Sequence, residues 1–411
     1  MAIIKPFKAL RPSSDLADKI AALPYDVMNS REAQEMVQGN DYSFLRIDRG
    51  EINFPELPDP HEPKVYAKAR EILDDMVAKE HFIQDKTDCL YIYRQIMDGR
   101  AQTGLVACTS IDDYNNNIIK KHEFTRPDKE QDRIDHIKAL HAQTGPIFQT
   151  YRDNAKIVRV INEWIEDHKP VYEFEANNVE HICWVVDCPK TIQTLVELFV
   201  GVDYLYIADG HHRSAAAFRV GMEMREQNPD PEAEFNHFLS VIFPASDLKI
   251  WPYNRLVVDL NGNSEEDFLK KVGESFVVEK APNSPFEPEQ RHVYGMYLGD
   301  TWYKLTPKPG VVDTEDIIKD LDVAILQDHL LQPILNIQDP RRDERIEFVG
   351  GIRGVQELER RVKTDMKVAF SMYPTSIEEI LEVADSNQVM PPKSTWFEPK
   401  LLSGLFIHKL S

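Results

Sequence analysis

Apolar and polar positions along this chain follow two periods, and the two interleave from end to end. Residues 90–97 and 102–111 are strand-like runs on either side of Asp98-Gly99. That dipeptide suits a two-residue hairpin turn, because both central positions need positive φ. Asn177-Asn178 marks a second hairpin, and Gly299-Asp300 a third within 293–305. Helical spacing appears over 64–79, 155–168, 191–200, 264–274 and 322–331. Asn29 with Glu32, and Ser376 with Glu379, have the spacing of capping boxes. Residues 43–47 alternate enough to read as a strand, with Arg46 between apolar neighbours in a structural ion pair or as an anion ligand. The four prolines of 51–63 make that segment a loop. Thr125, Pro127 and Asp128 predict a helix start, with the helix running to a stop at Gly145-Pro146. On it Lys129, Arg133 and His136 share one face, a solvated stripe in the case of Lys129. Further strands are expected over 238–243, 276–279, 346–350 and 368–372, with a glycine loop and a helix over 355–362 between the last two. The pattern predicts a mixed α/β (α+β) fold, with Pro244 dividing 1–244 from 245–411.

Two stretches carry chemistry. In 204–220 an apolar strand reaches a tight turn at Asp209-Gly210, and a helix is expected from about Ser214. Asp209, His211, His212 and Arg213 fall at this junction. A helix N-terminus has unpaired N–H groups and partial positive charge, so a cation there sits in the less favourable place. Arginine in that first turn implies an anion to bind. Adjacent histidines project in different directions, which favours two separate hydrogen-bonding roles over one shared metal. The plainer account makes Asp209 an N-cap, Gly210 a turn residue and the histidines solvated loop. The second stretch, 390–400, is stiffened by three prolines. It carries Lys393, Ser394, Thr395 and Lys400, a dense set of phosphate-type ligands, beside Trp396 and Phe397.

Composition narrows the partners. A net charge of −21 argues against a nucleic-acid surface, which needs a basic footprint. It leaves room for a local anion pocket. No apolar run reaches membrane-spanning length, and no signal-peptide core opens the chain. Cys89, Cys108, Cys183 and Cys188 lack paired zinc spacing, so a reducing cytoplasm is the expected compartment.

Six strings together resemble a known family: Pro24-Tyr-Asp-Val27, Ser43-Phe-Leu-Arg-Ile47, Lys121-His-Glu-Phe-Thr125, Ile207-Ala-Asp-Gly-His-His-Arg213, Tyr253-Asn-Arg-Leu256 and Met390-Pro-Pro-Lys-Ser-Thr-Trp-Phe-Glu-Pro-Lys400. They resemble the domain of unknown function 1015 family over nearly the whole chain. The Asp209-Gly-His-His-Arg213 element is similar to the phosphate-binding motif of the ParB/sulfiredoxin-like superfamily. The resemblance implies a ParB/sulfiredoxin-like core with large insertions and a C-terminal α/β extension. It also implies a phosphate held at the strand-to-helix junction, in a superfamily that includes enzymes phosphorylating free serine with a nucleotide. The expected function is phosphoryl transfer on a small metabolite, serine or O-phosphoserine, as a kinase or a phosphatase. The other reading is a non-catalytic sensor of a nucleotide or phosphometabolite. Catalytic roles are expected of Glu123 or His122 as base and His212 or His211 at the phosphate, with Asp209 holding the turn or Mg²⁺. Arg213, Lys393, Ser394, Thr395, Lys400, Arg133 and Arg46 would bind phosphate and carboxylate, and Asp26 the ammonium. ATP or ADP would be the donor. The loop 390–400 is expected to return to this site.

Overall fold

The computed structural model describes residues 1–411, which fall into two compact units. One is Met1–Leu248 with Pro399–Ser411; the other is Lys249–Glu398. The tail therefore leaves the 245–411 grouping that the pattern suggested. Its reason is pairing and burial: Ser403 bridges Ala22, Ile407 bridges Leu10, and His408 and Lys409 pair with Gln143 and Ala142. Leu401, Leu402, Leu405 and Phe406 are buried with them.

The first unit is built on a nine-stranded mixed sheet. Its strands are β1 (Ile4–Lys5), β2 (Leu90–Met97), β3 (Arg100–Ser110), β4 (Ile119–Lys120), β5 (Ile147–Tyr151), β6 (Tyr172–Ala176), β7 (Val179–Val186), β8 (Leu205–Asp209) and β9 (His237–Pro244). The order is β4-β8-β5-β9-β3-β2-β7-β6, with β1 beside β3. β8 runs parallel to β4 and β9 parallel to β5; β8 and β5 are antiparallel. The hairpin of β2 and β3 turns where expected, with Asp98 at φ 53° and Gly99 at φ 76°. β5 was hidden in the sequence by the helix read ahead of it. That helix ends at Leu140, where His141 takes a left-handed conformation, not at Gly145-Pro146. All of β5 is buried, as its central place between β8 and β9 requires.

Four helices position the site: α1 (Leu45–Asp48), α2 (Pro63–Ala78), α3 (Pro127–Leu140) and α4 (His211–Gln227). α1 replaces the strand expected at 43–47. Phe44, Leu45 and Ile47 are all buried, and the Ile47 and Asp48 N–H groups both donate to the Phe44 carbonyl. Apolar residues at those spacings fit a helical turn as well as a strand, and packing decided between them. They share a core with Ala69, Leu73 and Met76 of α2.

The second unit has a six-stranded antiparallel sheet: β10 (Tyr253–Val257), β11 (Phe276–Lys280), β12 (Tyr294–Leu298), β13 (Thr301–Pro307), β14 (Ile346–Gly350) and β15 (Val368–Ser371). The order is β11-β13-β12-β15-β10-β14. The expected helix over 322–331 is α5 (Asp322–Leu326), which continues as a π turn over Gln327–Leu331. α6 (Val355–Thr364) packs Val355 and Leu358 into a core with Leu256 and Val349. No helix is long and apolar enough to cross a membrane.

Candidate functional site

β8 carries the chain to the junction. Its register against β5 slips between Ile207 and Asp209, an irregularity of the kind that re-aims side chains at strand ends. Gly210 follows at φ 95°, a conformation that L side chains rarely adopt. α4 then begins at His211, earlier than the start expected near Ser214, so Arg213 lies fully inside its first turn. No side chain caps this N-terminus, which leaves first-turn N–H groups to other partners.

Asp209 is fully engaged. One carboxylate oxygen accepts the Gly210 N–H at 2.7 Å, and the other accepts Lys400 Nζ at 2.9 Å. Burial opposes its charge, but Lys400 and Arg213 outweigh that and hold the carboxyl well below the usual range. Lys400 is thus a partner of Asp209, reached by the returning tail. No group of three or more His, Cys, Asp or Glu residues converges as a metal cage. With both Asp209 oxygens already bonded, the residues present do not fit the Mg²⁺ role expected of it.

The histidines divide. His212 is half-exposed, and its Nε2 accepts the Arg126 N–H at 3.0 Å, tying α4 to the start of α3. His211 and His122 are buried edge-to-face, with ring centres 4.6 Å apart. Burial pushes His122 down to about 4, and burial together with His122 pushes His211 well below its ordinary value. Both rings are neutral at pH 7. A base so weak is poorly matched to chemistry near neutrality. Glu123, half-buried, follows His122 in the connection to α3.

Arg213 turns back from α4 toward the start of β5, where it donates to the Pro146 carbonyl. Its Nε has no hydrogen-bond partner. It lines a small pocket of about 30 Å³ together with Tyr25, Asp48, Arg133, His136 and Thr144. Tyr25, Asp48, Arg133 and His136 also line a wider basin of about 320 Å³, with Lys129, Arg49, Glu51 and His61. The face predicted on α3 therefore points into a cleft, and Lys129 belongs to it rather than to a solvated stripe.

Within the cleft each charge has a defined anchor. Arg133 Nε and Nη2 both donate to one Asp132 oxygen, at 2.9 and 2.7 Å. The other Asp132 oxygen accepts the Tyr66 hydroxyl at 2.8 Å. The Arg133 guanidinium also lies 3.8 Å from the centre of the Tyr25 ring. Asp48 is buried and accepts the Thr144 hydroxyl at 2.9 Å. His136 Nε2 bonds the Ile47 carbonyl at 3.1 Å and lies 3.9 Å from Asp48. Burial and Arg133 push His136 down to about 4, so its ring is neutral.

Arg46 and Asp26 lie apart from this cleft. Arg46 donates to the Asn40 and Val37 carbonyls and to Asp41, within a different hollow beside α2. Its guanidinium is a brace, because the turn of α1 aims it away from the Asp48 side. Asp26 is exposed, whereas its neighbour Tyr25 faces the pocket. Lys393, Ser394 and Thr395 belong to the second unit. There Lys393 takes φ 61°, its carbonyl accepts from Arg255, and the Ser394 hydroxyl donates to the Pro391 carbonyl.

Sequence reasoning missed Asp48, Thr144 and Tyr25 as pocket residues. The signal for Asp48 was the run Leu45-Arg-Ile-Asp-Arg-Gly-Glu51, which sets charges among apolar residues. Read as a strand ending at Ile47, it left Asp48 outside. The assembled cleft can bind an anion through Arg213, Arg133 and the α4 N-terminus, and can take a proton on Asp48.

A family model described as a protein of unknown function (DUF1015) matches residues 4–324. Among solved structures, a free serine kinase in complex with AMP is similar at 15% identity, over 72% of this chain and 86% of that one, with a TM-score of 0.35. SbnI with a C-terminal truncation, from Staphylococcus aureus, is similar at 13% identity over 72% and 85%, with a TM-score of 0.39. A conserved hypothetical protein from Pyrococcus furiosus is similar at 14% identity over 73% and 94%, with a TM-score of 0.35. No curated protein matches.

Proposed function

The chain belongs to the DUF1015 family, whose description assigns no activity, and from the geometry of its cleft we propose a phosphoryl-transfer enzyme acting on a small hydroxylated metabolite. One observation carries this reading. Two arginines from different helices, Arg133 and Arg213, line the same pocket as the buried carboxylate Asp48. Phosphoryl transfer asks mainly for positioning and charge neutralisation, with a base at the attacking oxygen. Arg213 and the uncapped turn of α4 bind the phosphate. Arg133, fixed by Asp132 and Tyr25, binds the metabolite's carboxylate with its remaining N–H donors. Asp48, oriented by Thr144, takes the hydroxyl proton, or the proton of water in the hydrolytic direction.

The substrate pair we assign is serine and O-phosphoserine, with ATP or ADP as donor in the kinase direction. That choice rests on the similarity of Asp209-Gly-His-His-Arg213 to the ParB/sulfiredoxin-like phosphate motif. The register slip before Asp209 and the uncapped start of α4 support reading the junction as such a unit. Glu123 is the competing base. Its place beside His122 keeps it near the junction, but it does not line the pocket.

The test uses the full-length chain with serine plus ATP or ADP, and separately with O-phosphoserine alone, following phosphoserine formation and phosphate release. General base catalysis contributes roughly 10²–10⁴-fold. Asp48→Asn should lower turnover by about that factor while O-phosphoserine still binds. A full-rate Asp48→Asn with a crippled Glu123→Gln would return the base role to Glu123. Binding of O-phosphoserine without turnover in either direction would leave a sensor in place of an enzyme.

A further inference from the structure

Arg255 lies on β10, between β15 and the edge strand β14 of the second unit's sheet, and is 3% exposed. One terminal nitrogen donates to the Tyr253 carbonyl, and the other to the Lys393 carbonyl at 3.1 Å. Its guanidinium carbon lies 5.4 Å from the centre of the Phe348 ring. Its electrostatic neighbours are the tyrosines Tyr253 and Tyr294; no aspartate or glutamate is among them. Burial pulls it down only to about 10, so it stays a cation at neutral pH. A buried guanidinium held by main-chain carbonyls alone carries uncompensated charge, which is costly in a sheet interior.

That cation lines a pocket of about 330 Å³ with Phe348, Leu331, Gln327, Pro391 and Pro392. Gln327 and Leu331 come from the π turn, a local widening that recurs at functional sites. At the rim, Arg341 is held by Asp339 at 2.9 Å, which leaves Arg255 as the cation without a carboxylate. Asp328 and Asp339 also line the pocket and would repel a multiply charged phosphate. The walls between are apolar rings and prolines.

We propose that this pocket binds a small organic carboxylate, with its carboxylate on Arg255 and its carbon body against Phe348, Leu331 and the two prolines. Arginine retains N–H donors for this after its two carbonyl bonds, and a planar carboxylate matches its fork. The site is built within the second unit and does not depend on the reading of the first.

Calorimetry on the full-length chain carrying Arg213→Ala, which weakens the anion site of the first unit, tests it with butyrate, succinate, glutamate and inorganic phosphate. At least one carboxylate should bind saturably at a single site, and Arg255→Gln should weaken that binding by tenfold or more. Because Arg255→Gln also strips the Tyr253 and Lys393 carbonyls, a second variant guards against misfolding. Gln332→Trp places an indole at the exposed rim, and its fluorescence should change with the same half-saturation. Absence of both carboxylate heat and a fluorescence change would overturn the proposal. So would unchanged affinity in a folded Arg255→Gln, or saturable binding of phosphate in preference to every carboxylate.

Discussion

In the first unit the buried Arg133 lies against Asp132, and Lys400 lies against Asp209; in the second unit the buried Arg255 meets only the carbonyls of Tyr253 and Lys393. A cation with a bonded carboxylate is fixed in place with its charge largely compensated by the fold, so Arg133 meets a ligand only through its spare N–H donors. A cation held by carbonyls is positioned yet keeps its charge for something else. Arg213 comes near that second condition inside the first unit: it donates to the Pro146 carbonyl and leaves its Nε unpartnered, although its charge also acts on Asp209. The contrast separates arginines whose charge the fold has compensated from those whose charge it has left largely free. It extends to protons. His122, His136, His181 and His237, all in the first unit, are pushed down to about 4 with burial as the first cause. In the second unit burial instead pushes Asp322 up to about 6.

Acid offers the largest expected break between the two units. An unfolded histidine takes its proton near pH 6.5, while these folded ones resist until about 4. Their contribution to stability is whole above the unfolded value and is lost as pH falls through that window. Asp322 has the opposite sign: its folded form stays protonated while the unfolded form ionises, so its contribution is lost as pH rises toward about 6. Hydrogen exchange on the full chain at about pH 7 and about pH 4.5, corrected for intrinsic rates, should show the first unit losing protection ahead of the second. Equal loss in both would mean that these buried groups do not set the acid response.

Removing a scaffold partner should cost nearly as much. Asp132→Ala leaves Arg133 buried beside Tyr25, and loss of one partner of a buried pair costs about 3–5 kcal/mol. The lower end is expected, because Asp48 also acts on Arg133. Urea unfolding measures it; a change within about 0.5 kcal/mol, the range of ordinary surface substitutions, would show that Arg133 is not held as scaffolding.

Arg213→Ala should behave in the other way, with little effect on stability. Phosphate or O-phosphoserine affinity should fall by roughly 1.5–3 kcal/mol, the range for a charge-assisted hydrogen bond. Calorimetry with each ligand decides it. Unchanged affinity in a folded variant would place the anion elsewhere and remove Arg213 from the site.

Much of this was legible in the chain. The β2–β3 turn is dictated locally, because Asp98 and Gly99 tolerate positive φ and the flanking runs do not. The boxes at Asn29 and Ser376 close as their spacing requires. The α4 junction was recognisable as an anion-ready turn, though its start was read late. The site was less legible. Arg133 and His136 were seen to share a helical face, but whether that face met solvent or a cleft depended on α1 and α2 packing across from it.

What the sequence alone determined is what acts over a few residues: turn chemistry, caps, helical faces and the Asp209–Arg213 junction. Only the tertiary structure decided that residues 43–47 form a helical turn and so bury Asp48, and that Lys400 crosses to Asp209 over a separation of 191 residues. It alone decided which arginine has a carboxylate and which has not. The reason is physical. Local conformation follows from dihedral and hydrogen-bond preferences that neighbours in sequence settle among themselves. Burial and charge compensation depend on groups brought together from distant parts of the chain, and no local pattern records which of them will arrive.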